Sequence, residues 1–589
     1  MRSLDWSALG RTRSRTQHFV TSDYHHSSDS QPPSFAVRLA WIFLILATLY
    51  FSYFHNLGAL GFVGPDEPRY AWIARDMAES GDWVTPRLYG HAWFEKPPLF
   101  YWGAALSFKL FGVNEATARF PSALSALFGT LAMAWLAWRL YGAETARWLL
   151  LLLPTTVGMI GFSHAAATDM LFSTMLSVAM VFAASIIGLT RNENSPVIPR
   201  TPWLALIFFG FFLGLAVLAK GPAAIILSGG AVLLWAFFTK RWRDAFRCLH
   251  SVAIASFCLA ALPWYVLCSR RNPEFFRVFI IEHNFKRFLT PEFQHIQPFW
   301  FYIPIILVAL FPWTLFLAPV KIDALRDWLN HRASHGPFLF FVSWALFPVL
   351  FFSFSQSKLP GYVLPALPPL VILLADAVGR YARADERAAR WPMLATAAAF
   401  LLIGLVILRE SARIPALRCL SPTCGITRIW ALAISGGAVI GLLAAVHRCR
   451  LSLLAVVLTA LALVLEINRF LPNIDPGISA RDSMRVAKAV WPDFSPRQAA
   501  TWQLNRAFTY QLNFYLRSDI PEWKPADSNA NWIFAPKNRV PALMENGIEC
   551  VKFAIYPAVV PCRLPNSADG LGFLSGLRGS DNLGDHQNR

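Results

Sequence analysis

The chain has 589 residues, of which 55% are hydrophobic, 14% aromatic and only 15% charged. That is too little charge to cover a soluble protein of this size, and apolar runs recur near the roughly 20 residues that cross hydrocarbon as a helix. The formal net charge of +18 invites a nucleic-acid reading, but Lys and Arg gathered in cytoplasmic loops between spans account for it better.

In chain order, residues 1–35 are polar, Arg-containing and rich in Ser and His. They read as a disordered cytoplasmic tail rather than a cleavable signal peptide, because no apolar stretch occurs before about Ala36. About thirteen spans follow, with cores near 36–57, 115–138, 146–163, 168–189, 203–219, 222–239, 249–268, 298–319, 337–354, 361–379, 391–408, 429–446 and 451–470. With the N-terminus inside, the clusters Lys240-Arg241-Trp242-Arg243, Lys321 to Arg332, Arg380 to Arg390 and Arg448 to Arg450 all fall in the cytoplasm. Slipping the register by one span would place them outside, against the positive-inside rule.

Two external segments remain within the membrane domain of residues 36–470, at 58–114 and 270–297, and residues 471–589 form a third external region. There polar residues return. Short strand-like segments, Asn531 to Phe534 and Cys550 to Phe553, alternate with helical stretches, Asp482 to Val490 and Arg506 to Arg517, which predicts a small α/β domain. Cys419 with Cys424, and Cys550 with Cys562, share external segments where disulfides persist. Cys248, Cys258, Cys268 and Cys449 fall in or near spans as small apolar residues. No internal repeat, P-loop or dinucleotide fingerprint is present.

The first external segment holds the densest chemistry: Asp66-Glu67-Pro68-Arg69-Tyr70-Ala71, Gly81-Asp82-Trp83-Val84-Thr85-Pro86-Arg87 and Phe94-Glu95-Lys96-Pro97-Pro98. Tyr70, Ile73, Ala74 and Met77 share one helical face that Arg69, Arg75 and Glu79 avoid, which predicts an amphipathic helix along the membrane interface. Proline restricts the residue before it, so Glu67 is expected at the cap and Pro68 at the first helical position. That leaves Asp66 outside the helix, and helix capping competes with catalysis as the reason for the acidic pair.

Positive charge on the external side is the second signal. Lys220 closes a span in Leu218-Ala219-Lys220-Gly221-Pro222, Lys358 sits in Ser357-Lys358-Leu359-Pro360, and Arg69, Arg87, Lys96 and Arg119 lie on or near the same side. Any one of them suits a helix C-terminus; several together suggest a buried anion, for which a lipid phosphate is the natural candidate. Asp169 begins a span, where it or Thr168 could cap the helix. Glu282-His283 lies beside Phe275, Phe276 and Phe279, which read as an interfacial aromatic belt, with His283 as a structural histidine or a ligand.

These blocks, with Gln297-Pro298-Phe299-Trp300-Phe301-Tyr302 and Ser357-Lys358-Leu359-Pro360-Gly361-Tyr362, occur in order over residues 36–380. The chain there resembles the ArnT-like family of GT-C glycosyltransferases, typified by the aminoarabinose transferase of lipid A and related to protein O-mannosyltransferases. The resemblance implies an all-α polytopic GT-C fold with thirteen spans, external loop helices and a periplasmic C-terminal domain. It also implies a bacterial inner-membrane location, an active site facing the periplasm, and an inverting transfer from a polyprenyl-phosphate sugar to lipid A or another envelope acceptor. By position, Asp66 corresponds to the family's catalytic or acceptor-orienting aspartate, and Asp169 resembles its second acidic residue. Arg69, Lys96, Lys220 and Lys358 would hold phosphate, with Glu67 and Glu95 beside them. Glu95 and His283 resemble a divalent-ion pair of one family branch, although the chemistry requires no cofactor. A polytopic lipid or sugar transporter or flippase is the rival class. It is disfavoured because the candidate charges cluster at external helix ends rather than at the midplane of repeated halves.

Overall fold

The computed structural model describes residues 34–190, 202–286, 296–317, 336–384, 387–413, 425–523, 530–553 and 557–565. Residues 1–33 of the expected tail, the Lys321 to Arg332 cluster and the Cys419 and Cys424 pair lie outside the described residues. The chain divides into two compact units, residues 1–46 and 47–589. The first contributes the start of the Phe35–Tyr53 helix.

Among the described residues, ten helices are long and apolar enough to cross a membrane, or eleven if the Ala143–Leu152 and Val157–Ser163 pair is one span. The chain is therefore a multi-pass membrane protein. Three of the thirteen expected spans take a less regular form. The pair covering 146–163 bends by 61° after Pro154, where Thr156 restarts the helix by accepting a hydrogen bond from Met159 N. The run at 222–239 is the shorter helix Ala223–Thr239, and the run at 298–319 contributes the short apolar helix Phe299–Ala309. Elsewhere small residues let helices touch through their backbones. A Cβ on Gly210 would come within 2.1 Å of the Ala253 carbonyl oxygen, so the helices Trp203–Lys220 and Ser251–Arg271 meet without side chains between them.

Residues 57–114 form a layer of loops and short elements between the first two long helices. The loop helix spans Asp66–Ser80 and ends at Gly81, whose φ of +76° forms the left-handed cap that glycine adopts most easily. Asp82 then closes a turn by accepting from Val84 N and Thr85 N. Two short strands, β1 (Arg87–Leu88) and β2 (His91–Ala92), pair antiparallel around Tyr89 and Gly90, both at positive φ. That geometry suits a two-residue hairpin turn, and it delivers Trp93, Phe94, Glu95 and Lys96 back toward the loop helix. Pro98 precedes the next helix, Leu99–Phe111.

The C-terminal part carries a four-stranded sheet in the order β3-β4-β6-β5, formed by Ala499–Thr501, Trp532–Pro536, Val559–Arg563 and Glu549–Cys550. Along β4, Ile533 and Ala535 point into one core, and Trp532 and Phe534 into another. That period of two buries both faces, one under the helices Arg481–Val490 and Arg506–Leu516 through Ala487, Leu512 and Leu516, the other under Val540 and Leu543. Cys550 and Cys562 are directly opposite across β5 and β6 and form a disulfide.

Asp475 fastens this region to the layer of residues 57–114. It is 1% exposed, accepts from Gly61 N at 2.7 Å and pairs with Arg481 at 2.5 Å. Tyr515 accepts from Phe62 N and donates to Glu115. Arg75 donates to the Phe514 carbonyl from a position only 5% exposed. The apolar face of the loop helix is buried as its spacing predicts, with Tyr70, Ile73, Ala74 and Met77 all 3% exposed or less. Its other face is not turned to lipid headgroups, because the helix Arg506–Leu516 covers it.

Candidate active site

The first two residues of the loop helix point in different chemical directions. Asp66 is the first helical residue and Glu67 the second, so Glu67 is not the cap and Pro68 is not the first position. Proline costs nothing there, since the first four backbone N–H groups of a helix have no intrahelical partner. Glu67 accepts from Arg119 through both carboxylate oxygens, at 3.0 and 2.8 Å, and also from Val63 N and Ala166 N. Arg119 meanwhile donates to the carbonyls of Leu57, Leu60 and Gly61. Both members are buried and saturated. Glu67 is thus a latch joining the loop, the Glu115–Tyr141 helix and the turn before Asp169, with no capacity left for a substrate.

Asp66 is different: its side chain is 54% exposed, while its partner Arg69, at 2.5 Å, is 6% exposed. Arg69 also reaches Glu95 at 2.9 Å, and Glu95 pairs with Lys96 at 3.2 Å. The rings of Tyr70, Trp93 and Tyr510 surround the guanidinium at 5.4 to 5.8 Å. Burial works against its charge, but Glu95, Tyr70 and Asp66 more than offset that and hold its pKa above the usual guanidinium value. A fixed cation therefore orients an acid that stands open to solvent.

The second cluster is the Asp169–Lys220 pair at 2.5 Å, with the Lys220 amine 4.8 Å from the Tyr362 ring and 5.5 Å from that of Phe172. Neither Thr168 nor Asp169 caps its helix, whose N-cap is Ala167 with no side-chain bond; Asp169 is committed to Lys220. Gly361 lies against this pair, for a Cβ there would come within 2.4 Å of Asp169 Oδ1. The expected Ser357 to Tyr362 block therefore touches the cluster through Gly361 and Tyr362. Lys358 itself is 7% exposed and donates to the Ser355 carbonyl at 2.6 Å.

The two clusters are linked by Glu67, which holds Ala166 three residues before Asp169. They are linked also by Phe94, which packs in one apolar cluster with Leu218, two residues before Lys220. Glu95 and His283 line one cavity of about 420 Å³ with Trp93, Arg271 and Glu274. Among the described residues no group of three His, Cys, Asp or Glu side chains is placed to hold a metal. Of the expected aromatic belt, Phe276 is exposed, but Phe275 and Phe279 are 1% exposed and stack at 5.5 Å. The Gly81 to Pro86 block ties the first loop to the end of the Ser251–Arg271 helix and the residue after it, since the Val84 carbonyl accepts from Trp264 and Thr85 from Asn272. Sequence reasoning missed Trp93 and Tyr510. Trp93 had a signal, its place beside the Phe94-Glu95-Lys96 block; Tyr510 had none, because it arrives from a distant segment of the chain.

The helical membrane body with a small C-terminal sheet is a fold of the GT-C class, as its structural likeness shows. ArnT from Cupriavidus metallidurans, solved bound to undecaprenyl phosphate, superimposes with a TM-score of 0.70 at 24% identity, covering 90% of this chain and 99% of that one. Residues 37–279 match the family model described as dolichyl-phosphate-mannose-protein mannosyltransferase. The chain is 35% identical over 327 residues to the undecaprenyl phosphate-alpha-4-amino-4-deoxy-L-arabinose arabinosyl transferase of Edwardsiella ictaluri, covering 55% of this chain and 57% of that protein. It is 33% identical over 343 residues to that of Pseudomonas aeruginosa, covering 58% and 60%. The chain has the GT-C fold and is similar to these transferases, its matches spanning somewhat over half the length of the relatives.

Proposed function

We propose that the protein is an inverting glycosyltransferase of the bacterial inner membrane, moving a sugar from a polyprenyl-phosphate donor to lipid A or another envelope acceptor on the periplasmic side. The observation that carries this reading is the contrast at the head of the loop helix: an exposed Asp66 carboxylate fixed from beneath by a buried, charge-saturated Arg69. The relatives' names support the donor class and an arabinosyl-type sugar. The basic clusters between spans support the orientation.

In the proposed reaction the acceptor oxygen bonds to the anomeric carbon as the carbon–oxygen bond to phosphate breaks, and that electron pair leaves with polyprenyl phosphate. Lys96 and Lys220, with Tyr362 beside the latter, stabilise the departing phosphate as preorganised charge in a poorly hydrated site. When the acceptor is a hydroxyl, its proton passes to Asp66 as general base. When it is a phosphate, already ionised, Asp66 orients the group and takes no proton. Asp169 holds the Lys220 amine in place, and Lys358 braces its segment through Ser355.

Glu95 and His283 are the side chains that would hold a divalent ion, which would supply additional positive charge toward a phosphate. Glu95 is already paired with Arg69 and Lys96, so the fit is incomplete and no step depends on it.

The test is transfer in liposomes holding polyprenyl-phosphate sugars and lipid A, with products weighed. Asp66→Asn keeps the shape and removes the charge, and it is expected to lose at least about a hundredfold in rate, the scale of a general base, with the protein still inserted. Wild-type rates in that variant would sink the role of Asp66. Donor crossing the bilayer intact would favour the transporter class instead.

A further inference from the structure

The described charges at the candidate site nearly cancel. Asp66 and Glu95 balance Arg69 and Lys96, Asp169 balances Lys220, and Glu67 balances Arg119. Each of these cations is held by a carboxylate. Arg506 is not. It opens the C-terminal domain's helix Arg506–Leu516, is exposed, and makes no ion pair among the described residues. Its Nε donates to the Tyr510 hydroxyl at 2.9 Å, and its guanidinium lies 5.2 Å from the Tyr510 ring. The guanidinium of Arg69 lies 5.8 Å from the same ring. One tyrosine thus joins the cation that orients Asp66 to a cation without a counter-ion.

The helix that carries them is fixed in place. Asn505 caps it by accepting from Phe508 N, Gln511 accepts from Ala480 N, and Phe514 and Tyr515 bond to the layer of residues 57–114. Tyr89, at the hairpin turn, packs 6.2 Å from Tyr510. The segment lies beyond residue 279, where the family match ends.

We propose that the C-terminal domain forms the acceptor-facing wall of the site, with Arg506 binding an anionic, phosphorylated group of the acceptor and Tyr510 positioning Arg506 against Arg69. This rests on the transferase reading and deepens it by naming a residue that holds the acceptor. A planar guanidinium with one edge bonded to Tyr510 keeps its remaining N–H donors for phosphate, which it can grip bidentately.

The experiment measures binding of the full-length protein in detergent to lipid A and to lipid A stripped of its phosphates. Transfer is followed in parallel. Wild type is expected to prefer the phosphorylated form about tenfold or more, the worth of one charge-assisted hydrogen bond. Arg506→Gln should lose most of that preference and raise the acceptor KM rather than the donor KM, and Arg506→Lys should restore part of it. Tyr510→Phe keeps the ring but frees Nε, so it should fall between wild type and Arg506→Gln. No preference in wild type, or an undiminished preference in Arg506→Gln, overturns the inference. Transfer by wild type with an unchanged acceptor KM in Arg506→Gln also overturns it and leaves the transferase reading standing. Absence of transfer from every polyprenyl-phosphate sugar, with binding as expected, would instead remove the reading beneath.

Discussion

Two adjacent carboxylates, Asp66 and Glu67, have opposite surroundings, and that difference assigns their roles. Glu67 is 7% exposed and accepts four hydrogen bonds, two of them from a buried guanidinium. Removing one partner of such a pair leaves an uncompensated buried charge, a loss of about 3–5 kcal/mol. Glu67→Ala is therefore expected to lower thermal stability in detergent sharply, whereas Asp66→Asn should melt within a degree or two of wild type, on the scale of an exposed substitution. Equal melting temperatures for the two variants would contradict the latch. The sequence flagged both acids as one motif. Only Arg119, 52 positions away in the chain, separates the structural acid from the open one.

At the scale of elements, the loop helix was legible because its apolar positions repeat with helical spacing and Gly81 ends it. What covers its other face was not. Arg69 and Arg75 look like solvated charges in sequence, yet both are buried where Tyr510 and the Phe514 carbonyl meet them. Periodicity reports one buried face and cannot show a distant segment arriving on the other. The sheet that supports that domain is small, and β5 has only two residues paired to β6. The Cys550–Cys562 bridge, closing a separation of 12 residues, stands in for a longer ladder. A loop of that size contributes about 3 kcal/mol by restricting the unfolded chain. Reduction, or Cys550→Ser with Cys562→Ser, is expected to lower the unfolding midpoint of the C-terminal domain and to open it to limited proteolysis before the membrane body. An unchanged midpoint and digestion pattern would show that the sheet holds without its bridge.

For the whole molecule, the orientation argument rests on charge counts and can be checked directly. Single cysteines placed at Arg243 and at Asp82, in a variant lacking reactive native thiols, should respond oppositely to an impermeant thiol reagent. The position at Asp82 should be labelled in intact spheroplasts, and that at Arg243 only after permeabilisation. The reverse pattern would invert the topology and move the candidate site to the cytoplasm.

The sequence by itself determined the membrane class, most of the spans and the α/β character of the C-terminal region. Each of these follows from hydropathy, or from a local period of 3.6 or 2, that neighbouring residues carry on their own. It also marked Asp66, Glu95, Lys96, Asp169 and Lys220, because charge is costly beside hydrocarbon and stands out against it. The tertiary structure alone decided which charges pair: Arg69 with both Asp66 and Glu95, Glu67 with Arg119, and Asp169 with Lys220. It alone brought Tyr510, with Arg506 bonded to it, from a distant segment of the chain to the side of Arg69. Pairing depends on distances between segments far apart in the chain, and no local pattern of residues encodes those distances.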